Sequence, residues 1–238
     1  MNVMKYNRKL VIFILWLSLL AVMLEAKHSS ADTTLNRHNL ETLYKQDSLL
    51  INKESVKHST DVVTTHMLKY KVDGKDLSVF LLNEWTTEQF KNKEVDIYAL
   101  SAPDICGCST KRYNVYGGLT VANKENVQSK KEYHIPINLW IKGKQETKHL
   151  TVSTKKRIVT AQEIDIKVRK LLISQYDIYS NSDQKYSKGS VTLDVNSGKD
   201  ITYDLYYFGN GEFDSMLKIY INNETVTVDQ CHVDVVIN

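Results

Sequence analysis

The segment of this chain with the clearest chemistry is its last apolar run, Cys231-His232-Val233-Asp234-Val235-Val236-Ile237. In a β-strand, residues i and i+2 point to the same face. Val233, Val235 and Ile237 therefore share one face, suited to a core, and His232 and Asp234 stand together on the other. A neutral imidazole nitrogen beside a carboxylate oxygen is a donor pair suited to Zn²⁺. Two ligands are not a zinc site, because zinc in proteins takes three or four. An ordinary polar outer face is the competing reading of the same pattern. Cys231 would be a softer ligand, but the pleat sends its side chain opposite to His232, which makes it structural.

Other chemistries find no footing. There is no H-E-x-x-H, G-x-S-x-G or phosphate-binding loop, and no Cys/His protease pattern. His28, His38, His58, His66, His134 and His149 are scattered, and none pairs with an acid at ligand spacing. The three Trp residues are dispersed and form no base-stacking platform. Lys5, Arg8 and Lys9 precede an apolar run from Leu10 to Leu24, interrupted only by Ser18, and small residues follow at Ala26 and at 29–31. That layout predicts a secretory signal peptide over residues 1–31, cleaved after Ala26 or Ala31, and the run is short for a membrane span. Lys5, Arg8, Lys9 and Lys27 against Glu25 leave +3 in this segment, the whole of the chain's net +3. The mature chain is thus close to neutral, which excludes a basic nucleic-acid footprint and gives no ground for membrane insertion. Cys106, Cys108 and Cys231 are an odd number of thiols for an exported protein, and no disulfide framework is evident.

The elements that must position the His232/Asp234 pair follow from periodicity. With 238 residues, 42% of them hydrophobic, and only 9 Gly and 2 Pro, the chain has material for one large or two small cores. Residues 32–60 are polar and partly helical, with Leu40, Leu43 and Tyr44 at helical spacing. Strand alternation begins near Val62, and Thr64–Val72 ends at Asp73-Gly74, a hairpin signal, with a return strand over Leu77–Leu82. A short helix over Thr86–Lys93 and strands at Val95–Leu100, Tyr113–Val121 and His134–Ile141 complete a small barrel of OB-fold type, placed at residues 61–142. Residues 143–238 read differently. A strand over Thr147–Thr154 precedes Thr160-Ala161-Gln162-Glu163, a capping box that opens a helix of about four turns ending near Gln175. Ala161, Ile164, Val168, Leu171 and Leu172 fall on one face of it. Strands are then expected at Ser190–Val195, Asp200–Phe208, Met216–Ile221 and Val226–Ile237. One long helix covering a mixed sheet is an α+β packing.

Two segments carry more than periodicity: Tyr116-Gly117-Gly118-Leu119-Thr120, and the run from Lys156 through Val159, Ile164-Asp165, Arg169, Leu172 and Ile178-Tyr179. Together they resemble the two signature motifs of the staphylococcal enterotoxin and streptococcal pyrogenic exotoxin superantigens. The second agrees at every position. In the first, the expected Asn falls one place late, at Asn126, which suggests a loop insertion. His134–Trp140, Tyr203-Asp204-Leu205 and Leu217–Tyr220 are also similar. The resemblance covers nearly the whole mature chain. It implies an α+β protein of two domains, an N-terminal OB-fold barrel and a C-terminal β-grasp, with the N-terminal segment packed across both.

It implies function as well. Zinc-dependent members of the family pair an H-x-D in the last strand with a third ligand from a neighbouring strand. The matching position is Asp194, in a strand whose Val191, Leu193 and Val195 point inward. Many relatives have His there, so Asp keeps a ligand but hardens the site. Asp200, across the Asn196-Ser197-Gly198 turn, is the second candidate for that third ligand. The open zinc position would be filled by a histidine of the MHC class II β-chain, and T-cell receptor Vβ would dock in the cleft between the domains. Such a bridge weakens below about pH 6, where imidazole ligands protonate. A zinc-mediated homodimer is a further expected partner state. The resemblance thus implies a secreted, non-catalytic crosslinking toxin. The alternative is a superantigen-like immune-evasion binder that does not engage class II. A secreted zinc hydrolase lacks its general base.

Overall fold

The computed structural model describes residues 34–57, 66–103, 112–123, 132–180, 185–196 and 198–238. The expected signal peptide, Cys106, Cys108 and Asn126 lie outside them. Helix α1, described over residues 34–45, comes first. A first sheet follows, formed by β1 (Leu50–Val56), β2 (Met67–Val72), β3 (Lys75–Phe80), β4 (Val95–Pro103) and β5 (Arg112–Tyr116) in the order β1-β4-β5-β3-β2, with β6 (Leu119–Val121) beside β4. The short helix α2 (Glu84–Glu88) starts at Asn83, whose side chain accepts from the Thr86 N–H. This sheet wraps its own core of Leu68, Tyr70, Val79, Ile97 and Val115, with Phe90 packed among them. The β2–β3 hairpin turns at Asp73 (φ 50°) and Gly74 (φ 75°). Two successive positive φ values mark the type I′ geometry that Asp-Gly favours.

The second sheet holds β7 (Tyr133–Ile141), β8 (Lys144–Gln145), β9 (Leu150–Thr154), β11 (Gly189–Val195), β12 (Ile201–Asp204) and β14 (Cys231–Ile237) in the order β12-β11-β14-β7-β8, with β9 on β7. A separate ribbon pairs β10 (Ile158–Thr160) with β13 (Thr225–Thr227). Helix α3 (Ala161–Tyr176) covers the inner face. It starts where Thr160 Oγ1 accepts from Glu163 N–H at 3.2 Å and stops at Asp177 in the left-handed region, φ 52°. Its Ala161, Ile164, Val168 and Leu172 are buried against the sheet.

Five expectations differ from the structure. Strand β7, expected in the barrel, belongs to the second sheet, parallel to β14 (Val235↔Leu139) and antiparallel to β9 (Ile135↔Val152). Alternation specifies which residues point inward but not which sheet receives them. Residues 50–56, grouped with the N-terminal segment, are β1, paired to β4 through Ile51↔Ala99. Met216–Ile221 is not a strand: α4 (Phe213–Leu217) runs into a 3₁₀ turn over Lys218–Tyr220. Met216, Leu217 and Tyr220 are buried at helical spacing, a pattern a short apolar run shares with a strand. The final strand is broken by a 3₁₀ turn at Val228–Gln230, and the segment from Asp200 to Phe208 contributes only Ile201–Asp204.

Both signature motifs hold the two halves together. Gly117 and Gly118 have φ of 64° and 79°, and a Cβ at Gly118 would stand 2.5 Å from Ala99 Cβ and 2.7 Å from Tyr98 O. Gly118→Ala is therefore expected to cost about 2–5 kcal/mol, the sum of a left-handed side chain and an overpacked contact. A shift in urea midpoint measures it, and an unchanged midpoint would show that the turn relaxes freely. The adjoining Leu119 gives its N–H to Asn223 Oδ1 at 2.8 Å and accepts Asn223 Nδ2 at 3.0 Å. Lys156 Nζ and Asp96, both buried, meet at 3.4 Å.

The second motif builds a buried polar network around Arg169. Its guanidinium donates to Asp165 Oδ2 (2.9 Å), Tyr179 Oη (2.8 Å), Leu205 O (2.9 Å) and Asp204 O (2.9 Å). Tyr220 donates to the same Asp165 oxygen, and its hydroxyl bonds that of Tyr44 at 2.7 Å. Arg169 also lies 4.8 Å from the centroid of the Tyr44 ring. Burial pushes Tyr179 up to about 12, so it stays a neutral donor at physiological pH. Through Tyr44, with Leu40 and Leu43, α1 enters a core that also contains Tyr98 and Tyr116 of the first sheet and Ile164 of α3.

Candidate metal centre

On the face of the second sheet away from α3, two neighbouring strands bring three ligand-type side chains together. Strand β14 alternates with Cys231, Val233, Val235 and Ile237 buried and His232 and Asp234 half-exposed. Burial of the four apolar positions settles the pleat, and the pleat sends the other two outward together. Cys231 faces the core as a free thiol, and burial raises it to about 11, so it is neither placed nor ionised to bind a metal. Strand β11 lies antiparallel to β14 with Asp194 directly opposite His232. Val191 and Leu193 point inward, which turns Asp194 to the outer face.

His232 Nε2 stands 3.3 Å from Asp194 Oδ2 and 3.9 Å from Asp234 Oδ2. One ligand atom from each of the three lies within 4.8 Å of the others. With bonds of about 2.0–2.2 Å, two ligands of tetrahedral zinc stand about 3.4 Å apart. The Asp194–His232 distance already meets that value, and the Asp234 distance needs only a small side-chain rotation. One nitrogen and two carboxylate oxygens from rigid paired strands thus fit zinc. The set is harder than one with a second imidazole.

Asp200 is not in this group. Strand β12 pairs with β11 on the side away from β14, with Ile201 opposite Leu193. Asp200 precedes Ile201, so a whole strand separates it from His232. It lines an open cleft of about 530 Å³ with Lys199, Tyr203 and Glu224. Of the other histidines, His38, His66, His134 and His149 are described, and all are exposed, on unrelated elements.

One participant escaped the sequence reading. Asn138 of β7 sits opposite Asp234 in the parallel register and donates Nδ2 to Asp234 Oδ1 at 2.8 Å. Its outward position follows from the buried Ile137 and Leu139 around it. With β7 assigned to the barrel, nothing placed Asn138 beside the site.

An OB-type barrel joined to a helix-covered mixed sheet, with three ligand-type side chains on the outer face of that sheet, defines a two-domain α+β protein. The comparisons agree. Residues 39–121 match the OB-fold domain of staphylococcal/streptococcal toxins, and residues 135–237 match their β-grasp domain. The chain belongs to this staphylococcal/streptococcal toxin family, whose members are non-enzymatic. It is 55% identical over 242 residues to exotoxin type H of Streptococcus pyogenes, covering 99% of this chain and all of that one. Among solved structures it is similar to the zinc-bound superantigen SPE-H from Streptococcus pyogenes, with TM-score 0.82, 60% identity, and coverage of 86% of this chain and 98% of that one. A second is the superantigen SpeA soaked with zinc in complex with a T-cell receptor β chain, with TM-score 0.74, 29% identity, and coverage of 85% and 92%. Among the described residues, no helix is long and apolar enough to cross a membrane.

Proposed function

We propose that this chain is a secreted superantigen that holds Zn²⁺ between Asp194, His232 and Asp234 and crosslinks the MHC class II β-chain to T-cell receptor Vβ. The observation that carries this reading is the convergence of three ligands from two adjacent strands on an open face. Three protein ligands would leave one tetrahedral position for a further donor, and the three side chains that would hold the metal lie half-exposed on the outer face of the sheet. Among the described residues no further His, Cys, Asp or Glu joins the group, and its exposed placement suits an imidazole from a second protein. Zinc, when bound, supplies the Lewis-acid site that a partner's imidazole completes. The chain's own part is to fix the three donors and present them on a rigid sheet. The zinc-bound relative supports the metal and the relative in complex with a T-cell receptor β chain supports the receptor contact. The N-terminal basic-apolar-small layout and the exotoxin relative support the secretion part of this reading.

The test is capture of soluble class II by the purified chain, with and without a chelator, followed by T-cell proliferation in the presence of class II-bearing cells. Binding that disappears with chelator and returns with zinc, together with Vβ-selected proliferation, is the expected result. Binding indifferent to chelator would refute the metal bridge. Absence of class II binding under any condition would point to the immune-evasion alternative. Sedimentation at rising zinc concentration reports whether the same ligands also join two copies of the chain.

A further inference from the structure

We propose that Asn138 is the positioning residue of this metal centre: its amide holds Asp234 in the rotamer and the single-oxygen presentation that the metal requires. The proposal rests on the zinc reading above and adds a residue to it. Asp234 sits on a half-exposed face, where a short carboxylate side chain is free to turn. Two carboxylates placed around one imidazole also repel each other before a metal arrives. The structure meets both problems from β7. Asn138 and Asp234 are direct register partners, and Asn138 Nδ2 donates to Asp234 Oδ1 at 2.8 Å. That bond engages one oxygen and leaves Oδ2, the atom that faces His232 Nε2 at 3.9 Å, for the metal.

The chemistry permits only this polarity, since a carboxylate accepts and the amide nitrogen is the side chain's donor. The donor is also well anchored. Strand β7 lies inside the sheet, with β14 on one side and β8 and β9 on the other, and Ile137 and Leu139 on either side of Asn138 are buried. Three adjacent strands therefore build the site: β11 contributes Asp194, β14 contributes His232 and Asp234, and β7 contributes the amide. Hydrogen bonds to metal ligands orient them, and loss of one typically lowers affinity 10- to 100-fold.

The experiment compares wild type, Asn138→Ala and Asn138→Leu, the second with the same heavy-atom branching as Asn but no donor. Zinc affinity is read by competition with a chromophoric chelator, and ligand geometry by the visible absorption of the Co²⁺ form. Metal-free thermal unfolding is the control. Both variants are expected to bind zinc 10- to 100-fold more weakly, with an altered Co²⁺ spectrum as Asp234 turns, and with metal-free unfolding unchanged. Wild-type affinity and an unchanged Co²⁺ spectrum in both variants would overturn the proposal while leaving the zinc site intact. Lower metal-free stability with unaltered zinc affinity would assign Asn138 to the fold and also overturn it. If the wild-type chain takes up no zinc, the metal reading itself fails, and this proposal with it.

Discussion

His232→Ala is expected to remove zinc-dependent class II binding altogether while leaving the fold intact. The imidazole supplies the one nitrogen of the set, and it lies between Asp194 and Asp234. Without it, two carboxylates face each other with no soft donor, a set that favours water-rich, harder ions over zinc. Loss of a supporting hydrogen bond alone lowers metal affinity by about 10- to 100-fold, so loss of a ligand should exceed about 100-fold. Stability should change by less than about 0.5 kcal/mol, because the side chain is half-exposed on the outer face and the core uses Val233 and Val235. Zinc titration calorimetry and class II capture, run beside thermal unfolding, measure both halves. Full zinc affinity in the folded variant would exclude His232 as a ligand. Asp194→His is the informative partner substitution: it should retain zinc, since it exchanges one competent donor for another at a position already opposite His232.

Asp165→Ala is expected to be the most destabilising single change in the buried network, by about 3–5 kcal/mol. Asp165 and Arg169 are fully enclosed, and their ion pair spans 2.9 Å. Burial is the largest influence on Arg169 and would lower its pKa, yet the Asp165 carboxylate, acting together with Tyr179, Tyr44 and Tyr220, holds it well above its ordinary value. Removal of the carboxylate leaves that cation buried with only neutral acceptors, the carbonyls of Leu205 and Asp204 and the hydroxyl of Tyr179. It also takes away the acceptor of Tyr220, and so loosens the Tyr44 hydroxyl that ties α1 to the rest. A loss of that size is a large share of the 5–15 kcal/mol that holds a typical domain folded. Urea denaturation reads it directly. A loss under about 1 kcal/mol would mean that water or a rearranged tyrosine replaces the carboxylate. The double substitution Asp165→Leu with Arg169→Met should recover much of the loss, because it removes both charges instead of stranding one.

These two predictions mark different depths of legibility. The His232/Asp234 pairing could be read from five residues, since strand alternation is a local property and Val233, Val235 and Ile237 declare the buried face. The same rule correctly separated Cys231 from the site. The start of α3 was equally local: Thr160 caps the helix through the N–H of Glu163, three residues on. The Arg169 network was visible only as a motif. Nothing in the spacing of Lys156, Asp165, Arg169 and Tyr179 says that Arg169 reaches the backbone of Asp204 and Leu205, more than thirty residues away.

Elements whose identity depends on distant partners were misread for the same reason. His134–Ile141 has the alternation of a strand in any sheet, and its parallel pairing with β14, about a hundred residues later, decides which. Met216–Tyr220 is apolar enough for either state, and burial of Met216, Leu217 and Tyr220 on one side selects the helix. The choice between Asp194 and Asp200 has the same character. Both precede or follow one turn, yet strand order puts β11 beside β14 and β12 beyond it. Sequence alone determined the elements with strong local periodicity, the two-domain α+β class and the donor pair on the last strand, because side-chain direction repeats every two or 3.6 residues along a chain. Tertiary structure alone decided which carboxylate, Asp194 rather than Asp200, stands beside His232, the Asn138 amide behind Asp234 and the sheet to which β7 belongs, because strand neighbours are set by long-range pairing that no local period records.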